Sequence, residues 1–121
     1  MREPSLHHAQ VFYPPGGESS ARAFYSGRLG LPEIPRLAKG RGAGLWFAAG
    51  TGQVHLAAEP DLHLHPRRHF ALRVDDLDVV VARLEAAGDR LGEAHPIPGW
   101  RRIYAFDPFG NKVELDEIPE P

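Results

Sequence analysis

Two halves of this sequence spell the same succession of local signals, and that repetition constrains the fold more than any single motif. Residues 6–13, Leu-His-His-Ala-Gln-Val-Phe-Tyr, form a β-rich run stopped by Pro14-Pro15-Gly16-Gly17. Glu18 to Leu29 then reads as a helix: Ala21, Phe24, Tyr25 and Leu29 share one stripe, and Gly30 stands at its C-terminal cap. Pro32 and Pro35 leave Glu33–Leu37 a weak edge strand. Strands at Leu45–Ala48 and Gln53–Ala57 follow, joined by Gly50-Thr51-Gly52. The second half begins with a strand at His69–Val74. Asp75 or Asp76 caps a helix whose apolar stripe is Leu77, Val80, Val81 and Leu84, and Gly88 ends it. Arg90–Gly99 is broken by Pro and Gly and occupies the place of the weak strand. Arg102–Phe106 and Lys112–Leu115 form a hairpin around Asp107-Pro108-Phe109-Gly110-Asn111, and the tail from Ile118 is expected to fray.

The expected fold is therefore α+β: two βαβββ modules of about sixty residues each, forming an eight-stranded, incompletely closed barrel-like sheet with helices on its outer face. The modules run from about 5 to 58 and 67 to 117 within one domain, 1–121, with residues 59–66 as the linker. The absence of Cys excludes disulfides, thiolate metal sites and cysteine nucleophiles. With 14 Lys and Arg against 16 Asp and Glu, the net charge of −2 argues against nucleic-acid binding. No apolar run approaches the ~20 residues of a membrane span, and residues 1–10 lack a secretory signal, so a cytoplasmic location is expected.

Strand alternation then sorts the side chains. If the apolar sets pack under the helices, the opposite faces carry His8, Gln10 and Phe12; Gln53, His55 and Ala57; His69, Ala71 and Arg73; and Lys112, Glu114 and Asp116. His8 to His69 is 61 positions and His55 to Glu114 is 59, so each module offers one metal-capable side chain from its first strand and one from its last. Pseudo-twofold symmetry would bring these four together, and a divalent ion would satisfy them. Arg102, Tyr104 and Phe106 share a face, with Trp46 in the matching position of the first module. His7 is expected to face away from His8, and His63 and His65 to lie in a solvated loop. Gly16-Gly17 and the glycines at 40, 42 and 44 read as loops, since neither set joins a strand to a helix in the dinucleotide-binding manner.

The stretches LHHAQV, ARAFYSGRLGL, QVHLA, HFALRVDDLD and YAFDPFGNKVEL together resemble the vicinal oxygen chelate superfamily, which includes glyoxalase I, extradiol dioxygenases, fosfomycin-resistance proteins and bleomycin-binding proteins. The resemblance implies metal ligation by His8, His69 and Glu114. The fourth position, Glu in glyoxalase I, is His55 here, which is open to three roles: ligand, general base or substrate contact. Tyr104 stands ten residues before Glu114, as an active-site Tyr does in extradiol dioxygenases, although the better-known of those enzymes are about twice this length. The fosfomycin thiol-transferases have Thr where this chain has Gln10.

These features point to a divalent-metal enzyme (Fe, Ni, Zn, Mn or Co) acting on a small substrate chelated through oxygen atoms. Isomerase or lyase chemistry comes first and extradiol oxygen insertion second. His55 and Tyr104 are the candidate catalytic groups. Arg102, Trp46, Gln10 and Arg73 are the candidate substrate contacts, and His8, His69, Glu114 and His55 the candidate metal ligands. The competing reading is a non-catalytic protein that sequesters a small molecule, as the bleomycin-binding relatives do. Arg73, Arg102 and Lys112 suit an anion better than a cationic drug. The resemblance also implies a homodimer, with or without exchange of modules.

Overall fold

The computed structural model of the chain describes residues 2–37, 40 and 42–120. It divides into two compact units, Met1–Leu62 and His63–Pro121, each built on one four-stranded sheet. The fold is α+β, and the element order βαβββ occurs in both units.

In the first unit β1 (His8–Tyr13) lies parallel to β4 (Gly52–Ala58). β3 (Gly44–Ala49) runs antiparallel to β4, and the two-residue β2 (Glu33–Ile34) closes the edge, giving the order β1-β4-β3-β2. The weak strand expected over 33–37 shrinks to two residues because Pro32 and Pro35 bracket it and can donate no ladder hydrogen bond. The first helix is α1 (Glu18–Arg22), which continues without interruption as a wider π-helical segment, Ala23–Arg28. The amide of Leu29 bonds the carbonyl of Phe24, five residues back, where an α-helix would use the fourth. Ala21, Phe24, Tyr25 and Leu29 are all buried, and Gly30 takes a φ of 79°, as its capping position requires. The Tyr25 and Phe47 rings lie 5.8 Å apart, packing this segment on β3. Leu45, Phe47, Val54 and Leu56 complete the buried face.

The second unit repeats the plan. β5 (His69–Arg73) lies parallel to β8 (Lys112–Glu117), followed by β7 (Arg101–Phe106) and the short β6 (Leu91–Glu93), in the order β5-β8-β7-β6. The N-cap of α2 (Leu77–Ala86) is Asp76, whose carboxylate accepts from the Val79 amide; Glu117 accepts from the Leu77 amide. Leu77, Val80 and Leu84 are buried against β7 and β8, while Val81 is only half-buried at the edge of the stripe. At the hairpin, Asp107 Oδ1 accepts from the amides of Phe109 and Asn111, and Oδ2 accepts from the Asn111 side chain. Gly110 there has a φ of 97°, a conformation that a side chain would strain.

The tail does not fray throughout: the Ile118 carbonyl and the Glu120 carboxylate hold Arg73, whereas Pro121 lies outside the described residues. Residue 41 of the glycine-rich loop lies outside them as well. Among the described residues, no helix is long and apolar enough to cross a membrane.

Candidate functional site

In each unit the sheet face away from the buried apolar set carries the polar side chains, and strand register arranges them in rows. In the first unit Gln10, His55 and Trp46 stand side by side across β1, β4 and β3, with His8 beside Gln53 in the next row. His55 is buried at 4% exposure between two flat neighbours. The Trp46 ring stacks on it at 3.9 Å and 1°, and the His8 ring at 4.0 Å and 18°. Its Nε2 lies 2.7 Å from Gln53 Oε1. Burial, with His8 and His7 nearby, pushes His55 down to about 4, so it is neutral at pH 7. Gln10 is exposed.

His7 departs from expectation. It precedes β1, so strand alternation does not apply to it, and its Nδ1 lies 3.0 Å from that of His8, the two rings edge to face. His63 and His65 do lie in a loop, where the His63 carbonyl accepts from Arg68 and His65 Nδ1 from the Arg67 amide.

In the second unit Ala71, Glu114 and Tyr104 form one row, flanked by His69 with Lys112 and by Arg73 with Asp116 and Arg102. His69 Nδ1 lies 3.0 Å from the Arg67 carbonyl oxygen. A carbonyl only accepts, so Nδ1 carries the proton, and in a neutral ring Nε2 is then a bare lone pair. That Nε2 faces Glu114 Oε1 at 3.1 Å. The other carboxylate oxygen, Oε2, accepts from Arg102 at 3.1 Å. Tyr104 meets the His69 ring edge to face at 5.4 Å, and Lys112 Nζ sits 4.0 Å above the Tyr104 ring while donating to the Pro66 carbonyl.

Arg102 and Arg73, both expected to meet substrate, have protein partners. The Arg102 guanidinium, on a side chain 13% exposed, reaches Glu114, Asp116 at 3.4 Å and the His95 carbonyl. Burial raises the Asp116 carboxyl to about 6, helped by the hydrogen bond and charge of Glu114. For Glu114 burial pushes the same way, but hydrogen bonds from Asp116 and Arg102 and the Arg102 charge hold it below its usual value.

Gln53, Asp116 and Lys112 are site neighbours that sequence reading placed on the right faces, Lys112 as a charge suited to an anion, but gave no role toward His55, Glu114 or Tyr104. Each lies two residues from an expected ligand on the same strand and so shares its face, which was the available signal.

The four expected ligands fall two in each unit, His8 with His55 and His69 with Glu114. Among the described residues, no group of three His, Asp or Glu side chains gathers as a metal set. The second-unit pair does fit a metal. Ligands about 2.1 Å from an ion and at right angles stand about 3 Å apart, and an imidazole fixed through its other nitrogen is the usual arrangement of a metal-bound His.

Two βαβββ units, each presenting metal-capable side chains on the sheet face away from its helix, define a glyoxalase-type fold. The sequence pattern of the glyoxalase/bleomycin resistance protein/dioxygenase superfamily matches residues 6–115, and the chain belongs to that superfamily. A solved glyoxalase family protein from Bacillus anthracis is 34% identical, with a TM-score of 0.86 over 98% of this chain and all of that one. An antibiotic-binding protein from Streptomyces shares the fold at 24% identity and a TM-score of 0.76, covering 98% of this chain and 99% of its own. So does a lactoylglutathione lyase from Agrobacterium tumefaciens, at 24% and 0.70, covering 97% and 96%. No curated protein matches the chain.

Proposed function

We propose that this chain is a divalent-metal-dependent enzyme of the glyoxalase and dioxygenase type, acting on a small substrate through its oxygen atoms. The proposed ligands in the second unit are His69 and Glu114, and those in the first unit are His8 and His55. Isomerase or lyase chemistry is the leading activity and extradiol oxygen insertion the second. Divalent metals are common in the superfamily. The observation that carries the reading is His69 Nε2 facing Glu114 Oε1 at 3.1 Å while Nδ1 of the same ring is held by the Arg67 carbonyl, an imidazole and a carboxylate placed to share one cation.

Bound there, a divalent ion supplies Lewis acidity to substrate oxygens. Arg102 holds Glu114 Oε2, which fixes the carboxylate and turns Oε1 toward His69 Nε2. Tyr104, packed on His69, is the group proposed to donate a proton or steady a developing oxyanion, with Lys112 above its ring adding positive charge. His55, neutral at pH 7, accepts but does not repel a cation.

Elemental analysis of the purified protein tests this, together with thermal melts in Ni(II), Fe(II), Co(II), Mn(II) and Zn(II). Near-stoichiometric metal and a raised melting temperature are expected, because a ligand of the native state stabilises it. No retained metal and no shift with any of the five ions would overturn it.

A second reading, a non-catalytic protein that sequesters a small molecule, draws on the parallel Trp46–His55–His8 stack, since such flat surfaces accept planar ligands. Members of the superfamily usually form dimers, and a homodimer, with or without exchanged modules, is proposed here, with light scattering as its test.

A further inference from the structure

We infer that Gln53 is a positioning residue that fixes His55 in the Nε2–H form, so that Nδ1 is the atom this histidine offers to whatever binds. The inference rests on the proposed role of His55 as a ligand and adds which atom it uses and what holds it.

Gln53 Oε1 is an acceptor only, and it lies 2.7 Å from His55 Nε2. The proton must then be on Nε2, and a neutral imidazole has one N–H, so Nδ1 carries the lone pair. Trp46 on one face and His8 on the other hold the ring in one plane, with Nε2 toward Gln53. Burial between two flat rings disfavours a charged imidazole. Residues 53 and 55 share a face of β4, and His8 of β1 is the register partner of Gln53.

His69 in the second unit is fixed in the opposite sense. There Nδ1 donates to the Arg67 carbonyl and Nε2 is the nitrogen that faces Glu114. The two histidines therefore present different ring atoms, and each is set by an oxygen two residues earlier in the chain: a side-chain amide for His55, a main-chain carbonyl for His69. The occupant of the His55 site must bring a cation or a hydrogen-bond donor to Nδ1. A second acceptor would meet a bare lone pair.

The test uses the full-length, metal-free, 15N-labelled protein at pH 8 and reads the His55 ring nitrogens by long-range 1H–15N spectra. The wild type and Gln53→Glu, which retains an acceptor, should both show a protonated Nε2 and a bare Nδ1. Gln53→Met, of similar length but without an acceptor, should show a mixture of tautomers. Titration with Co(II) is the second readout: Gln53→Glu should stay within about threefold of wild type and Gln53→Met lose about 10–100-fold, the usual cost of removing an outer hydrogen-bond partner of a metal ligand. A bare Nε2 in the wild type, or a Gln53→Met ring identical to wild type, would overturn the inference. Failure of all three proteins to bind Co(II) would count against the proposed metal function, while the ring-nitrogen pattern would still decide the role of Gln53.

Discussion

Nε2 of His69 and Oε1 of Glu114 stand 3.1 Å apart, each held from behind: His69 by the Arg67 carbonyl, Glu114 by Arg102. The pair is therefore pre-set before anything binds. Removing the charge while keeping the shape should show what the carboxylate does. Glu114→Gln is expected to lower metal occupancy at least about tenfold, since a neutral amide is a poor ligand for a divalent ion. The fold should survive, because Asp116 remains beside Arg102 to neutralise it. Metal content and the far-ultraviolet circular dichroism of the same sample check both halves of this expectation. Wild-type metal content in the variant would remove Glu114 from the site.

Asp116 gives a pH signature of its own. Its native carboxyl is raised from 3.8 to about 6, first by burial and then by Glu114. An acid raised in this way favours the folded state when protonated. That contribution is full below about 4 and is lost as pH rises through about 6. Asp116→Asn resembles the protonated acid at every pH. Its stability relative to wild type should therefore climb between pH 4 and 6 and level off above. Urea unfolding in the presence of a chelator, repeated across that range, measures the difference. A gap that does not change with pH would place the charge of Asp116 elsewhere.

The duplicated architecture was legible because its signals are local. Gly30 and Gly88 end their helices with φ of 79° and 76°, and the stripes Ala21-Phe24-Tyr25-Leu29 and Leu77-Val80-Leu84 are buried as their spacing requires. The π-helical turn was not legible, since the first stripe suits either helix type. Alternation correctly put His55 and Glu114 on the faces away from the apolar sets. It could not reveal that Arg102 turns to Glu114 and Asp116, or that Arg73 turns to the tail. Those choices depend on strand register and on where a loop carbonyl falls, and hydrophobic pattern specifies neither.

The hairpin between β7 and β8 depends on one buried side chain. Asp107 accepts three hydrogen bonds across the turn, from two main-chain amides and the Asn111 side chain. At about 1 kcal/mol each, Asp107→Ala should cost about 3 kcal/mol, and Asp107→Asn less, because its remaining oxygen can still accept from the amides. Chemical denaturation with a constant m-value checks this. A cost below about 0.5 kcal/mol, as at an ordinary surface position, would mean the turn is held by Pro108 and Gly110 alone.

Arg102 joins three parts of the second unit: Glu114, Asp116 and the His95 carbonyl of the loop that precedes β7. With 13% of its side chain exposed, it is a nearly buried cation between nearly buried acids. Arg102→Ala leaves both carboxyls without their counter-charge, so the variant should be less stable than wild type at pH 7. The loss should shrink towards pH 4, as Glu114 and Asp116 take up protons and need no counter-charge. Arg102→Lys should fall between, because a single ammonium cannot reproduce the guanidinium fork across three acceptors. The loop carries a separate readout. Freed from its anchor at His95, it should exchange amide hydrogens faster over residues 94–100 in Arg102→Ala, while α2 amides stay slow. Urea midpoints at pH 7 and pH 4, with hydrogen exchange at pH 7, test all of this. A variant as stable as wild type at pH 7, with an unchanged loop, would mean that Arg102 is free to meet substrate instead.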